Sequence, residues 1–434
     1  MSRFHLFVIP LLGLFLTGCG ASPGGDVGSS VGLIGSATAY PVRSDYLVDK
    51  MPEAAPPRWF TPGYPPLKSL SLAEKSPDKD LVEGLVSEQK KRNVLDPSKA
   101  ISTKDRSEFE RSMAPIFGTP TAPAIRLPDA AELQKLGVEP KDVKLLPLAE
   151  SAKAALGLGD ATLARGSSVF RRWCMHCHGP TGAGDGSNAP QLQPLPRDYR
   201  QGVYKFVTTS PEAAGRPLKS DLKRTIRRGL DGSMMVAFTN LSEQEVDEVA
   251  SYVIFLSVRG ESEYQAMKVM IKYNDDFLSV ENEVAVQVVR ILAAWGRAQA
   301  MPFTVPPENS ATPEDRLASA ARGFTTFNEA GCAACHTNFG RTPVLKFDAW
   351  GGMTQPRNLT LGVYRGGRKG EDLYTRLYSG ISGAGMPAHK QILEKSPPED
   401  GQPDRIWDMV HFLQVLSDPR MRRTLAEKYQ INVE

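Results

Sequence analysis

Hydrophobic positions change their spacing several times along the chain, and each change predicts a different element. Leu6 to Leu16 is a nearly continuous apolar run, too short for a membrane span, which needs about 20 residues. Residues 20–40 are rich in Gly, Ser and Ala, and residues 41–70 hold seven prolines. That composition excludes a helix or central strand and predicts a tether followed by an extended lead-in over 19–70. Helical spacing appears in 72–92 and 128–157, so 71–160 reads as a partly helical region without recognisable chemistry.

A repeated pattern begins at 161. Gly166, Phe170 and Cys174 are four apart, along one side of a helix, and Gly323 and Phe327 repeat that spacing before Cys332. Each cysteine segment is followed by a second helix, "KSDLKRTIRRGL" or "GEDLYTRLYSG", and a glycine-framed methionine loop, "DGSMMVAF" or "ISGAGMPAH". A last amphipathic helix closes each unit. One carries Val246, Val249, Ala250, Val253 and Ile254 behind a Ser242–Glu245 capping box; the other carries Ile406, Met409, Val410, Leu413 and Leu416. The fold class is therefore mostly α: two similar helical units, 161–258 and 316–418, a helical bridge over 259–315 and a tail at 419–434. The bridge contains "ENEVAVQVVRILAAWGRAQA", expected to pack on one or both units.

Charge adds little to this picture. Hydrophobic residues make up 41% and charged residues 23%, and the net charge of +3 comes without any basic run interleaved with aromatics. A nucleic-acid partner is not expected. The N-terminus changes the picture more. Arg3, the apolar run and the small residues before Cys19 have the layout of an export signal over 1–18. "LTGC" resembles a bacterial lipobox, which would make Cys19 the lipid-bearing first residue of the mature chain. The body is then expected to be exported, on the periplasmic side of a bacterial membrane, held there by an N-terminal lipid anchor.

Beyond Cys19, the remaining four of five cysteines fall in two Cys-x-x-Cys-His segments, Cys174–Cys177–His178 and Cys332–Cys335–His336. Such a segment can attach a c-type haem. The thiols add to the porphyrin vinyl groups, and the adjacent imidazole supplies one axial nitrogen to the iron. A thioredoxin-like dithiol needs a βαβ setting and has no use for the histidine. A zinc site pooling four cysteines would leave both histidines unexplained. Two covalent haem c groups are expected. The loop methionines Met235 and Met386 are the candidate sixth ligands, with Met234 the alternative at the first iron. Of the other histidines, His176 is expected to face out, His389 to lie at the surface, with a place near the second haem as the alternative, and His411 at the edge or border of a core.

Both units resemble class I cytochrome c domains, and the chain is similar to exported bacterial diheme cytochromes c. The resemblance rests on the Gly166/Phe170 and Gly323/Phe327 helices, "CMHCH" and "CAACH", the loop methionines, and last helices carrying Tyr252 and Trp407. "PRDYRQGVYKF" (196–206) and "PRNLTLGVYRGG" (356–367) also look family-like, and by analogy Arg197 and Arg357 approach the haem propionates. Val236 departs from the family's methionine–proline pair. The resemblance implies electron transfer by a membrane-tethered carrier or by a subunit of a respiratory or dehydrogenase chain. Its partners would be redox proteins such as an oxidase, a quinol-oxidising complex or a dehydrogenase. The alternative is a haem enzyme, such as a diheme peroxidase, with an open iron site.

Overall fold

Helix ends follow local sequence signals. Asp129 caps Ala130–Lys135, its carboxylate accepting from Glu132 N. Ser242 and Glu245 form the expected reciprocal box at the start of Glu243–Tyr273. Thr312 and Asp315 form another at Pro313–Glu329, with Pro313 in the first turn, where no N–H is required. In this computed structural model the described residues are 39–41, 47–48, 94–95, 103–192, 194–273, 279–308, 312–342, 344, 346–347, 353–390 and 404–433. The export signal, Cys19, most of the proline-rich lead-in and the expected helix at 72–92 lie outside them.

The helices run in the order α1 (Thr103–Phe117), α2 (Ala130–Lys135), α3 (Pro140–Val143), α4 (Leu146–Ala155), α5 (Asp160–Trp173), α6 (Met175–His178), α7 (Lys219–Arg228), α8 (Glu243–Tyr273), α9 (Val280–Gln299), α10 (Pro313–Glu329), α11 (Gly370–Ser379), α12 (Arg405–Leu416) and α13 (Pro419–Tyr429). The described residues are mostly helical. Strand structure among the described residues is limited to two antiparallel ladders, each of two-residue strands. No described helix is long and apolar enough to cross a membrane.

Apolar burial gathers into two cores. The first joins α1 and α4 to α5, α7, α8 and α9; the second joins α10, α11, α12 and α13. At the centre of the first, α8 runs 31 residues and passes 258 without a break. It is buried on all sides over most of that length, as a helix covered all round must be. Its charges inside the core are paired: Arg259 with Glu263 at 3.3 Å, and Glu261 with Arg216. The lead-in touches this core as well, since Tyr40 and Tyr252 share a hydrogen bond at 2.9 Å.

The bridge divides its contacts. Helix α9 buries Val284, Val288, Leu292 and Trp295 in the first core. The strap after it hydrogen-bonds the first unit, Ser210 N to Met301 O and Phe303 N to Thr208 O. Phe303 then stacks on Tyr378 of the second core at 3.7 Å, and Pro306 O accepts from Trp407 Nε1.

Each unit is built on one helix crossing. A Cβ on Gly166 would lie 2.2 Å from Glu248 O, and one on Gly323 would lie 2.0 Å from Asp408 O. The glycines therefore let backbones touch: α5 on α8, and α10 on α12. Phe170 meets Tyr252 beside the first crossing, and Phe327 meets Phe412 beside the second. Phe412 is thus the counterpart of Tyr252; Trp407 faces Gly370 and the strap instead. Because a backbone carbonyl cannot swing aside, Gly323→Ala should cost about 2–3 kcal/mol, read as a lower urea midpoint at unchanged slope.

Candidate functional site

At the end of α5 the chain winds one further turn. His178 N donates to Cys174 O at 2.9 Å, and in the second unit His336 N donates to Cys332 O at 2.8 Å. A single turn brings both cysteines and the histidine of each segment to one cavity wall. Each imidazole is then fixed from behind. His178 Nδ1 donates to Arg197 O at 3.2 Å and His336 Nδ1 to Arg357 O at 3.1 Å. A carbonyl can only accept, so Nδ1 carries the proton and Nε2 keeps its lone pair for a ligand. Gly340, at φ +79, leaves room for that second carbonyl: a Cβ there would lie 2.0 Å from Arg357 O.

The methionine loops share one hydrogen-bond register. Helices α7 and α11 end at Gly229 and Gly380, both at φ +70. Leu230 N donates to Met235 O and Ile381 N to Met386 O, each at 3.0 Å. Phe238 N returns to Ile226 O, and His389 N to Leu377 O. Met235 and Met386 therefore occupy equivalent places. Met234 also lines the first cavity but is 59% exposed, whereas Met235 is half-buried.

His389 takes the alternative place, beside the second cavity, rather than the surface. It is buried, lines the second cavity and sits where the first loop has Phe238. Burial lowers its pKa, which keeps it neutral at pH 7. His411 is also buried rather than peripheral, with Ser319 Oγ at 2.7 Å and Glu308 Oε1 at 3.1 Å, and it lines neither cavity.

The first cavity is about 200 Å³ and the second about 240 Å³. Leu222, Ile226, Val249 and Val253 supply apolar wall in the first; Leu359, Leu373, Leu377 and Leu413 do so in the second. Lys205, Phe206 and Arg365 line both. These three come from the paired stretches "GVYKF" and "GVYRG", which align Lys205 with Arg365 and Phe206 with Gly366. Phe206 packs its ring on Gly366, where a Cβ would be 2.6 Å from the ring. Sequence reasoning passed over all three, together with Arg376. That arginine is buried in the second cavity wall, donating to the carbonyls of Arg365 and Gly367.

The donor set fits haem. Among the described residues no three His, Cys, Asp or Glu side chains gather to hold a bare metal ion, so a four-ligand zinc site has no ligands. Burial pushes the Cys174 thiol up to about 12 and the Cys332 thiol up to about 11, the reverse of a reactive redox thiolate. Arg197 and Arg357 line the first and second cavities. Arg357 Nε is buried without a hydrogen-bond partner among the described residues, which suits an anionic group such as a propionate.

Comparison with known proteins agrees for one unit. Residues 161–253 match the family model described as cytochrome C oxidase, cbb3-type, subunit III. That segment is similar to a cytochrome c domain, a kind that carries covalently attached haem c, and the match supports haem-based electron transfer. A chain of the solved Kuenenia stuttgartiensis reducing HAO-like protein complex Kustc0457/Kustc0458 is 22% identical, with a TM-score of 0.41, covering 58% of this chain and 96% of that one. No curated protein matches.

Proposed function

We propose that the chain is a diheme electron-transfer protein, exported and lipid-anchored at Cys19, that passes electrons between two class I cytochrome c domains and onward to redox partners. One observation carries the reading. Two cavities, each holding a Cys-x-x-Cys-His turn and a loop methionine in the same register, share Lys205, Phe206 and Arg365 as a common wall. Electron exchange weakens steeply with distance, so two centres on one wall favour a relay.

Cys174 and Cys177 would hold one haem and Cys332 and Cys335 the other, through thioether bonds. His178 with Met235, and His336 with Met386, would close the two faces of each iron. Each haem would supply a one-electron iron couple whose ferrous form the methionine sulfur favours. The apolar walls exclude water and limit the reorganisation that accompanies a change of charge. With His178 and Met235, and His336 and Met386, holding the two irons, neither site would offer the open iron a peroxidase needs. An acceptor of the oxidase kind is the partner class the family match favours.

The test is a haem count. Pyridine haemochrome analysis of the purified full chain should give two haems per polypeptide, and Cys332→Ala/Cys335→Ala should leave one. A count of one or none in the unmodified chain overturns the reading. Separately, Cys19→Ser should move the protein from the membrane fraction to the soluble periplasmic fraction; retention on the membrane would remove the lipid anchor from the proposal.

A further inference from the structure

The first methionine loop is more exposed than the second. Asp231, Gly232, Met234, Val236 and Ala237 are all exposed. Within the loop, Ser233 N donates to Leu230 O, and Met235 N donates to Ser233 Oγ at 3.2 Å. The second loop is mostly half-buried, and its Met386 is followed by Pro387, whose ring restricts the backbone; the first has Val236 there.

A further hold on the first loop comes from the other unit. Gly232 O, three residues before Met235, accepts from Arg357 Nη2 at 3.0 Å and from Arg365 Nε at 3.3 Å. Both donors are cationic, and such bonds are stronger than neutral ones. Val363 lies against the same turn. Arg357 has a second attachment, because its own carbonyl accepts from His336 Nδ1 at 3.1 Å. One residue therefore links the imidazole of the second site to the methionine loop of the first.

We propose that Arg357 and Arg365 are positioning residues that act across the units: they hold the Gly232 turn so that Met235 stays on the first iron, making axial ligation at the first haem dependent on the second unit. This rests on the reading of Met235 as a ligand. Losing both cations removes two charge-assisted bonds, and the methionine should then yield to an external ligand more readily, by about tenfold in apparent affinity.

The experiment uses the full, two-haem chain in a Met386→Ala background, where the remaining methionine–iron charge-transfer band belongs to the first site. Imidazole is titrated against that band. Arg357→Gln/Arg365→Gln should lower the midpoint imidazole concentration about tenfold, and Arg357→Lys/Arg365→Lys should recover part of the loss. An unchanged midpoint in the double glutamine variant overturns the inference. Should that variant fail to load both haems, Arg365→Gln alone carries the test, with an expected shift of about threefold. Met235→Ala in the same background separates the two claims. If the band survives that change, the ligand assignment is wrong, whatever the arginines do.

Discussion

Met386→Ala is expected to lower the reduction potential of the second haem by on the order of 0.1 V, within the ~0.8 V that axial ligands control. The sulfur is a soft donor that favours ferrous iron, so its loss favours the ferric state. The charge-transfer band of that site should vanish in the same variant. His389 lines the same cavity and is uncharged at neutral pH, so its imidazole is available to the vacated face. Met386→Ala/His389→Ala removes that neighbour, and imidazole or cyanide should then bind one iron per chain at micromolar to millimolar concentration. Spectroelectrochemical titration reads the first effect and ligand titration the second. A second-haem potential unmoved by Met386→Ala would reject the methionine as its ligand. Met234→Ala should leave both haems as they are, because Met234 is largely exposed and Met235 takes the register equivalent to Met386.

The second large effect is expected at Arg376. Burial pulls its guanidinium down to about 10, still far enough above neutral to remain a cation at pH 7. A fixed positive charge in a cavity wall opposes the extra positive charge of ferric iron. Arg376→Gln should therefore shift the ferrous-to-ferric ratio of the second haem about tenfold toward ferric, equivalent to ~59 mV for one electron. The variant also leaves the Arg365 and Gly367 carbonyls without their donor, at about 1–3 kcal/mol of stability for each one left buried and unpaired. Arg376→Lys keeps the charge but not the two-carbonyl grip. It should hold the potential near that of the unmodified chain while losing stability, which separates the two roles. The first cavity has Thr225 where the second has Arg376, so the second haem should be the more easily reduced of the two.

Periodicity made the local frame legible. The four-residue step from glycine to phenylalanine marks the crossing helices because close backbone contact demands glycine at one fixed point of each helix, Gly166 and Gly323. The Cys-x-x-Cys-His turns and the Ser242–Glu245 box are equally local, and they were readable for that reason. What depends on partners distant in sequence was not readable. Arg259, Glu261 and Glu263 are charged, yet each finds an ion-pair partner and α8 continues through them. The sequence left His389 between the surface and the second site, and the fold turns it into the cavity. The common wall of Lys205, Phe206 and Arg365 exists only because the two units meet, and no spacing within either unit announces it.

The uninterrupted course of α8 bears on how this chain can be handled. A fragment ending at 258 would cut through a rod that is covered on every side and would lack its distal half, with Ala266 and Met267, so the parts of the first core packed on that half would face water. The amino-terminal cytochrome segment is therefore no detachable bead, despite its recognisable motif. A soluble expression fragment should extend at least through α9, which packs in the same core.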